Sequence, residues 1–214
     1  MENRNQQDTV KKIAFAGLMA ALCYAGYAFI PPIPIPGLFD ITSGTKIHVG
    51  NAFVVLGALL LGGPYGGLAG AIGLSLADIL TGYSASAPRT FICKLLIGLI
   101  VGLVAHRIAN ISGKHEKGYI TKWAIISSIA GLAFNVIFEP TLKYIWFSLI
   151  TPNADKAQSA IKTLVSITIA TSFVNAIINS IIAVIAYLAL RPVLFKTGLL
   201  GEVPVRHKKA SALS

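Results

Sequence analysis

The chain has 214 residues, of which 55% are hydrophobic and 12% charged, and its formal net charge is +10. Its mean hydropathy of +0.73 is too high for a soluble domain of this length, because a single core could not bury so much apolar surface. The composition excludes an ordinary soluble protein. It predicts an all-α integral membrane protein whose solvent is lipid.

Six apolar segments are candidates for membrane helices. The second segment has only about 16 residues, so it must lie in a thinned region, tilt little or extend into its flanks. Gly62-Gly63-Pro64 separates the second segment from the third and predicts an antiparallel hairpin, with one long kinked helix as the alternative. Together the segments predict a six-transmembrane-helix bundle over 13–190, made of residues 13–30, 47–62, 64–82, 89–106, 123–150 and 161–190.

Lysine and arginine are concentrated in alternate connections. Most of them fall in 1–12, in 107–122 and in the basic tail 191–214, and the positive-inside rule then places both termini in the cytoplasm. The net charge is explained by this topology and by attraction to anionic lipid, so no nucleic-acid partner is expected. The proline-rich start of the external loop 31–46 predicts either a lid over a pocket or a stiff spacer.

Polar and charged side chains gather at the outer ends of the predicted helices. A charge at the centre of a membrane helix costs about 2.5 to 3.5 kcal/mol on insertion scales, so several at one depth should be partnered or line a watery cavity. We therefore predict a substrate pocket at the outer side. Its candidate residues are His48, Asn51, Asp78, Tyr83, Arg89, Lys94, Asn135, Glu139, Lys143 and Asn175.

Several of these side chains have a structural alternative. Glu139 and Lys143 are four residues apart, in the favourable order for a local ion pair. Amides in the sixth segment can bond across helices or contact a ligand, and we expect Asn175 to contact ligand and Asn179 to join helices. The aromatic residues Tyr83, Tyr144 and Trp146 would stack on a ring or belong to an interfacial belt, and Cys23 and Cys93 are expected in the core.

The first segment carries two adjoining stripes of small residues. Ala16 lies four residues before Ala20, and Gly17 lies four before Ala21. Such small-xxx-small faces allow another helix to approach almost to backbone contact. The partner is either another helix of this chain or another subunit.

Sequence patterns of ATPases and proteases are absent. The chain has no G-x-x-x-x-G-K-[ST] pattern and no H-E-x-x-H pair. We therefore expect a protein that is not an enzyme, hydrolyses no ATP itself and needs no metal or cofactor.

Three tracts carry a family resemblance. They are Ile47-His48-Val49-Gly50-Asn51-Ala52-Phe53, Leu59 to Gly67 (LLLGGPYGG) and Ala77 to Tyr83 (ADILTGY), followed by Ala87-Pro88-Arg89-Thr90-Phe91 and Lys94 to Gly98. This pattern resembles the substrate-binding S components of energy-coupling factor (ECF) vitamin transporters, in the pyridoxine, hydroxymethylpyrimidine and riboflavin-like subgroup. The likeness is strong over 13–106.

The resemblance implies a multi-pass subunit of the bacterial plasma membrane that captures a small heterocyclic B vitamin or precursor. Pyridoxine or hydroxymethylpyrimidine is favoured, and riboflavin is a further candidate. It also implies partners, a transmembrane T component and two ATP-binding subunits, with docking through Ala16, Gly17, Ala20 and Ala21.

Two other classes remain open. A stand-alone proton- or sodium-coupled secondary transporter would use Asp78 or Glu139 as its ion site, but it should show two related halves, and 13–106 does not repeat in 123–190. A structural membrane protein would use the polar residues only to join helices, and it would bind no solute.

Overall fold

The structure is a computed structural model that describes residues 2–29, 47–150 and 155–196. Within these residues the chain forms six α-helices, and α4 continues as a π-helical stretch, Leu103–Ile108. The predicted loop 31–46 and residues 197–214 of the predicted tail lie outside the described residues. The helices are α1 Glu2–Ala28, α2 Gly50–Leu61, α3 Gly63–Leu80, α4 Ala87–Gly102, α5 Lys117–Ile150 and α6 Asp155–Lys196.

All six predicted segments are helical, but three helices are longer than predicted. The helix α1 begins at Glu2 inside the predicted cytoplasmic segment 1–12, α5 begins at Lys117, and α6 runs on to Lys196. The reason is that hydropathy detects only the apolar part of a helix, whereas Glu, Gln and Lys in the flanks are good helix formers.

Four described helices are long and apolar enough to cross a bilayer, namely Thr9–Ala28, Ser84–Ile108, Lys117–Leu149 and Ile161–Lys196. Gly50–Leu61 is a shorter apolar helix. These helices agree with an integral membrane protein, and the count of six spans and the location of the termini remain predictions.

The short helix α2 lies inside the bundle. All its residues except Phe53 are buried, and it contacts α1, α3, α4 and α6. Its 12 residues span about 18 Å, well short of a hydrocarbon layer of about 30 Å. The helix therefore ends within the protein, and its ends need protein partners.

A hairpin joins α2 to α3, as the sequence predicted. Gly62 turns the chain with φ of 88°, a backbone conformation that residues with a Cβ rarely adopt. After the turn the two helices run closely antiparallel. A Cβ placed on Gly66 would lie 2.2 Å from the Ala58 nitrogen, and one on Gly70 would lie 2.6 Å from Val54.

The glycines of α3 also bring α1 and α4 close. A Cβ on Gly73 would lie 2.2 Å from the Ala20 carbonyl oxygen of α1. Similarly, a Cβ on Gly98 of α4 would lie 2.2 Å from the Cα of Gly67. Thus α3 is central in the bundle, and its glycines, which have no side chain, allow α1, α2 and α4 to pack closely against it.

The helix bundle has two distinct ends. The pocket end is where α1, α3 and α5 finish and α2, α4 and α6 begin. The elbow end is the opposite one, which contains Gly62 and the start of α5.

We expect Gly66→Ala to destabilise the chain, because the added methyl group meets the backbone of Ala58, which cannot move without shifting α2. Overpacking of this kind lowers the free energy of unfolding by about 1 to 3 kcal/mol. Thermal unfolding of the detergent-purified chain measures the effect. The matched control is Gly17→Ala, since a Cβ at Gly17 meets nothing within 4 Å. Equal stability of the two variants would contradict the close α2–α3 contact.

Candidate polar pocket

A small polar cavity of about 30 Å³ lies at the pocket end. It has room for about one water molecule, far less than the 300 Å³ or more of a typical ligand site. The cavity joins α1, α3, α4, α5 and α6 with the residues just before α2. Its lining residues are Tyr27, His48, Leu74, Asp78, Ser86, Arg89, Thr90, Lys94, Glu139, Thr171, Ser172 and Asn175.

Most of the predicted site residues meet here. His48, Asp78, Arg89, Lys94, Glu139 and Asn175 line the cavity. Asn51, Asn135 and Lys143 are buried but do not line it, and Tyr83 is half-buried outside it. The predicted convergence of these polar side chains is present in the structure, while their contact with a substrate stays a prediction.

Asp78 joins three helices at the pocket. Its carboxylate accepts a hydrogen bond from the Thr90 hydroxyl of α4 and interacts with the Tyr27 hydroxyl of α1. Asp78 is only 3% exposed. A buried carboxylate needs such donors, because transfer out of water is unfavourable unless hydrogen bonds replace those to solvent.

Glu139 is the centre of a second cluster. Its Oε2 lies 3.5 Å from the Lys94 ammonium of α4 and accepts a hydrogen bond of 2.8 Å from the Asn135 amide. One turn further along α5, the Lys143 ammonium donates to the Thr168 hydroxyl of α6 at 3.0 Å. These contacts tie α4, α5 and α6 together next to the cavity.

Two asparagines of α6 hold the start of α2. Asn175 Oδ1 accepts the His48 backbone N–H at 3.0 Å, and Asn179 Oδ1 accepts the Ala52 N–H at 2.8 Å. Asn179 also donates to the His48 carbonyl at 2.9 Å, so its predicted role in joining helices is confirmed. Asn175 has such a role too, and in addition it lines the cavity.

The histidine beside these amides has a defined tautomer. His48 Nδ1 accepts a hydrogen bond of 3.1 Å from the Gly50 backbone N–H, so in the neutral ring the hydrogen is on Nε2. The ring packs edge to face against Tyr27, with centroids 5.0 Å apart.

Tyr27 is the main pocket residue that sequence reasoning missed. It lies in an apolar segment, where a tyrosine is easily taken for core or interface. The only available signal was its depth, since Tyr27 lies one residue before the end of α1 and Asp78 lies two residues before the end of α3. Tyr144, offered as a stacking residue, is 40% exposed and lies outside the cavity.

Two buried amides keep an unused acceptor. Asn51 and Asn135 are 2% and 3% exposed, and their Oδ1 atoms have no hydrogen-bond partner among the described residues. Buried acceptors of this kind are rare in folded proteins. They add to the polar character of the region around the cavity.

The elbow end has its own polar contacts. His106 Nε2 lies 3.0 Å from the Ala58 carbonyl near the end of α2, and its Nδ1 lies 2.9 Å from the Ser112 hydroxyl. Arg191 of α6 donates to the carbonyls of Ile111 and Lys114 at 3.0 and 2.9 Å. These bonds fix the connection between α4 and α5, and the sequence analysis did not predict them.

The two small-residue stripes of α1 face different surroundings. Ala16 and Ala20 are half-buried and pack against the core, whereas Gly17 and Ala21 are exposed. The first stripe thus has a partner within the chain, and the second is available to another molecule.

A larger groove of about 730 Å³ runs between α5 and α6. Its walls are aliphatic and aromatic side chains such as Ile129, Val136, Phe173 and Ile181, with Ser180 as the one polar member. A polar heterocycle would lose its hydrogen bonds there. The small polar cavity, by contrast, is lined by groups that can form such hydrogen bonds. Among the described residues, no three or more His, Cys, Asp or Glu side chains lie close enough to hold a metal ion.

The Lys94–Glu139 pair gives a test of the site's construction. Removing one partner deprives the other of its salt bridge, so Lys94→Met alone and Glu139→Gln alone should each lower the free energy of unfolding by about 3 kcal/mol. The double variant should recover most of that loss, and thermal unfolding of the three purified variants measures it. Additive losses in the double variant would show that the two side chains do not act as a pair.

Comparison with known proteins gives one match. No curated protein and no solved structure matches the chain. A family model described as ECF-type riboflavin transporter, S component, matches residues 7–192, which include the residues that line the cavity and those predicted for docking. The chain therefore belongs to the ECF-type riboflavin transporter S component family and is a vitamin-binding membrane subunit of an ECF transporter.

Proposed function

We propose that this chain binds riboflavin outside the cell and delivers it inward as part of an ECF importer. The observation that carries the proposal is the buried polar cavity at the pocket end of a chain matched over 7–192 by the riboflavin S component family. The sequence favoured pyridoxine or hydroxymethylpyrimidine. The family match moves riboflavin to first place.

The cavity suits a neutral, polar heterocycle. Amide, hydroxyl and carboxylate groups of Asn175, Ser172 and Asp78 supply both donors and acceptors for carbonyl, ring-nitrogen and hydroxyl groups of the ligand. Tyr27 and His48 provide aromatic surface for a ring. A vitamin is larger than about 30 Å³, so the walls of the cavity must separate when it binds.

The proposed orientation places the pocket end outside. Arg107, Lys114, Lys117 and Lys122 are exposed at the elbow end, and the positive-inside rule assigns that end to the cytoplasm. In this orientation the cavity receives vitamin from the exterior in the bacterial plasma membrane.

The proposed partners are a T component and two ATP-binding subunits. Support comes from the family match and from the exposed stripe formed by Gly17 and Ala21, which offers a close-packing surface for another helix. Ala16 and Ala20, the other two predicted docking residues, pack against the core of the chain and would hold α1 in place, with Gly17 and Ala21 exposed.

Ligand binding is tested first on the isolated chain. Mass spectrometry identifies small molecules released by denaturing the purified protein, and calorimetry then titrates the ligand-free protein with riboflavin, pyridoxine and hydroxymethylpyrimidine. We expect one riboflavin per chain, bound without ATP or an ion gradient. Binding that requires sodium or a proton gradient would favour a secondary transporter. Preference for either of the other two vitamins would contradict the proposed ligand.

The docking stripe is tested by separating binding from uptake. Gly17→Trp and Ala21→Trp should leave vitamin binding in detergent unchanged, because both positions are exposed and neither lines the cavity. Both should strongly reduce uptake of labelled vitamin by cells that also express the partner subunits. The matched control is Ala170→Trp, at an exposed position on α6. Normal uptake by the Gly17 and Ala21 variants would show that another surface meets the T component.

A further inference from the structure

Arg89 differs from the other charged residues of the polar cavity. It is 6% exposed and lines the cavity from the first turn of α4. Its guanidinium donates one hydrogen bond of 3.0 Å to the Ser86 hydroxyl and lies 5.7 Å from the centre of the Phe147 ring. A guanidinium has five N–H donors, so most of its hydrogen-bonding capacity is unused by these contacts.

The charge of Arg89 is also without a direct counter-ion. Among the residues that the structure describes, the salt bridge of the cavity joins Lys94 to Glu139, and no carboxylate oxygen lies within salt-bridge distance of Arg89. Asp78 already interacts with Thr90 and Tyr27. Glu139 and Asp78 interact with its charge only at longer range. A buried guanidinium that has no direct salt bridge among the described residues is unfavourable in a folded chain, so a function at this position is the simplest reason for its presence.

The geometry of a guanidinium restricts what it recognises. Its parallel N–H groups form two hydrogen bonds to a pair of acceptor atoms side by side, as in a carboxylate. A flavin ring presents such pairs on its edges, at N1 with the C2 carbonyl and at N5 with the C4 carbonyl. Hydroxymethylpyrimidine instead has an amino donor beside one ring nitrogen, and its other ring nitrogen lies between carbons that carry a methyl group and a hydrogen. It therefore lacks an equivalent edge.

We propose that Arg89 sets the ligand specificity of this chain by donating two parallel hydrogen bonds to adjacent acceptor atoms on one edge of a flavin ring. The inference rests on the proposed riboflavin function and adds to it the residue and the edge that are recognised. The contacts with Ser86 and Phe147 position the guanidinium, and Arg89 orients the ligand within the cavity.

Binding by three forms of the full chain tests the proposal. The forms are the unchanged chain, Arg89→Met and Arg89→Lys, each titrated with riboflavin, 1-deazariboflavin and 5-deazariboflavin. Each analogue replaces one ring-nitrogen acceptor with C–H. Arg89→Met should bind riboflavin roughly 10- to 150-fold more weakly, the range for charged hydrogen bonds. Arg89→Lys should recover little of this affinity, because lysine keeps the charge but not the paired donors.

The analogues identify the edge. One of the two should bind the unchanged chain about tenfold more weakly than riboflavin, the effect of losing one good hydrogen bond. Arg89→Met should bind that analogue and riboflavin with similar affinity, since the interaction is already absent. If both forms discriminate equally between riboflavin and each analogue, Arg89 does not read the ring edge.

Stability separates a ligand role from a structural one. Removing a buried charge that has no direct salt bridge among the described residues should leave the melting temperature of ligand-free Arg89→Met unchanged or higher, whereas loss of a structural arginine would lower it. Arg107→Met is the matched control, an exposed arginine at the elbow end that should alter neither affinity nor stability. A lower melting temperature for Arg89→Met, or unchanged riboflavin affinity, overturns the Arg89 proposal alone. Failure of the unchanged chain to bind any flavin overturns the proposed function as well.

Discussion

A short helix buried at both ends is the constraint on which this structure depends. Within a bilayer every backbone N–H and C=O needs a partner from the protein, and α2 ends too early to reach water or headgroups at both of its ends. Asn175 accepts the His48 N–H just before α2 and Asn179 accepts the Ala52 N–H in its first turn. Near the other end, His106 is a second donor to the Ala58 carbonyl, which also accepts the Gly62 N–H. The packing of α4 and α6 around α2 follows from these bonds.

The polar pocket is a consequence of the same arrangement. Because α2 starts inside the bundle, His48 lies among helices instead of in a surface loop. Its backbone there forms hydrogen bonds with Asn175 and Asn179 of α6. Asn175 therefore serves both the fold and the cavity wall. Changing it would alter stability and binding together, which makes it a poor probe of function. Arg89 is the better probe, since its one hydrogen bond is to the neighbouring Ser86.

The sequence predicted what depends on hydropathy and chain order, and it missed what depends on rotation about helix axes. The apolar runs located six helices, the Gly62 region located the hairpin, and alternation of direction placed the charged residues at one end. Hydropathy and chain order do not determine the rotation of each helix about its own axis, and so do not determine which side chains face which neighbour. It could not pair Lys94 with Glu139, place Tyr27 in the cavity, or reveal that α2 is wholly enclosed. Those features depend on how the helices pack against one another in three dimensions.

Small residues illustrate the difference between a face that packs and a face that is left open. The glycines of α3 and the stripe of Ala16 and Ala20 are used within the chain, where missing side chains permit close backbone approach. Gly17 gains no such contact, yet glycine in the interior of a helix is about 1 kcal/mol less favourable than alanine. Among the described residues, no close helix contact at Gly17 offsets this destabilisation. A helix from another subunit, packed against Gly17 and Ala21, would supply it.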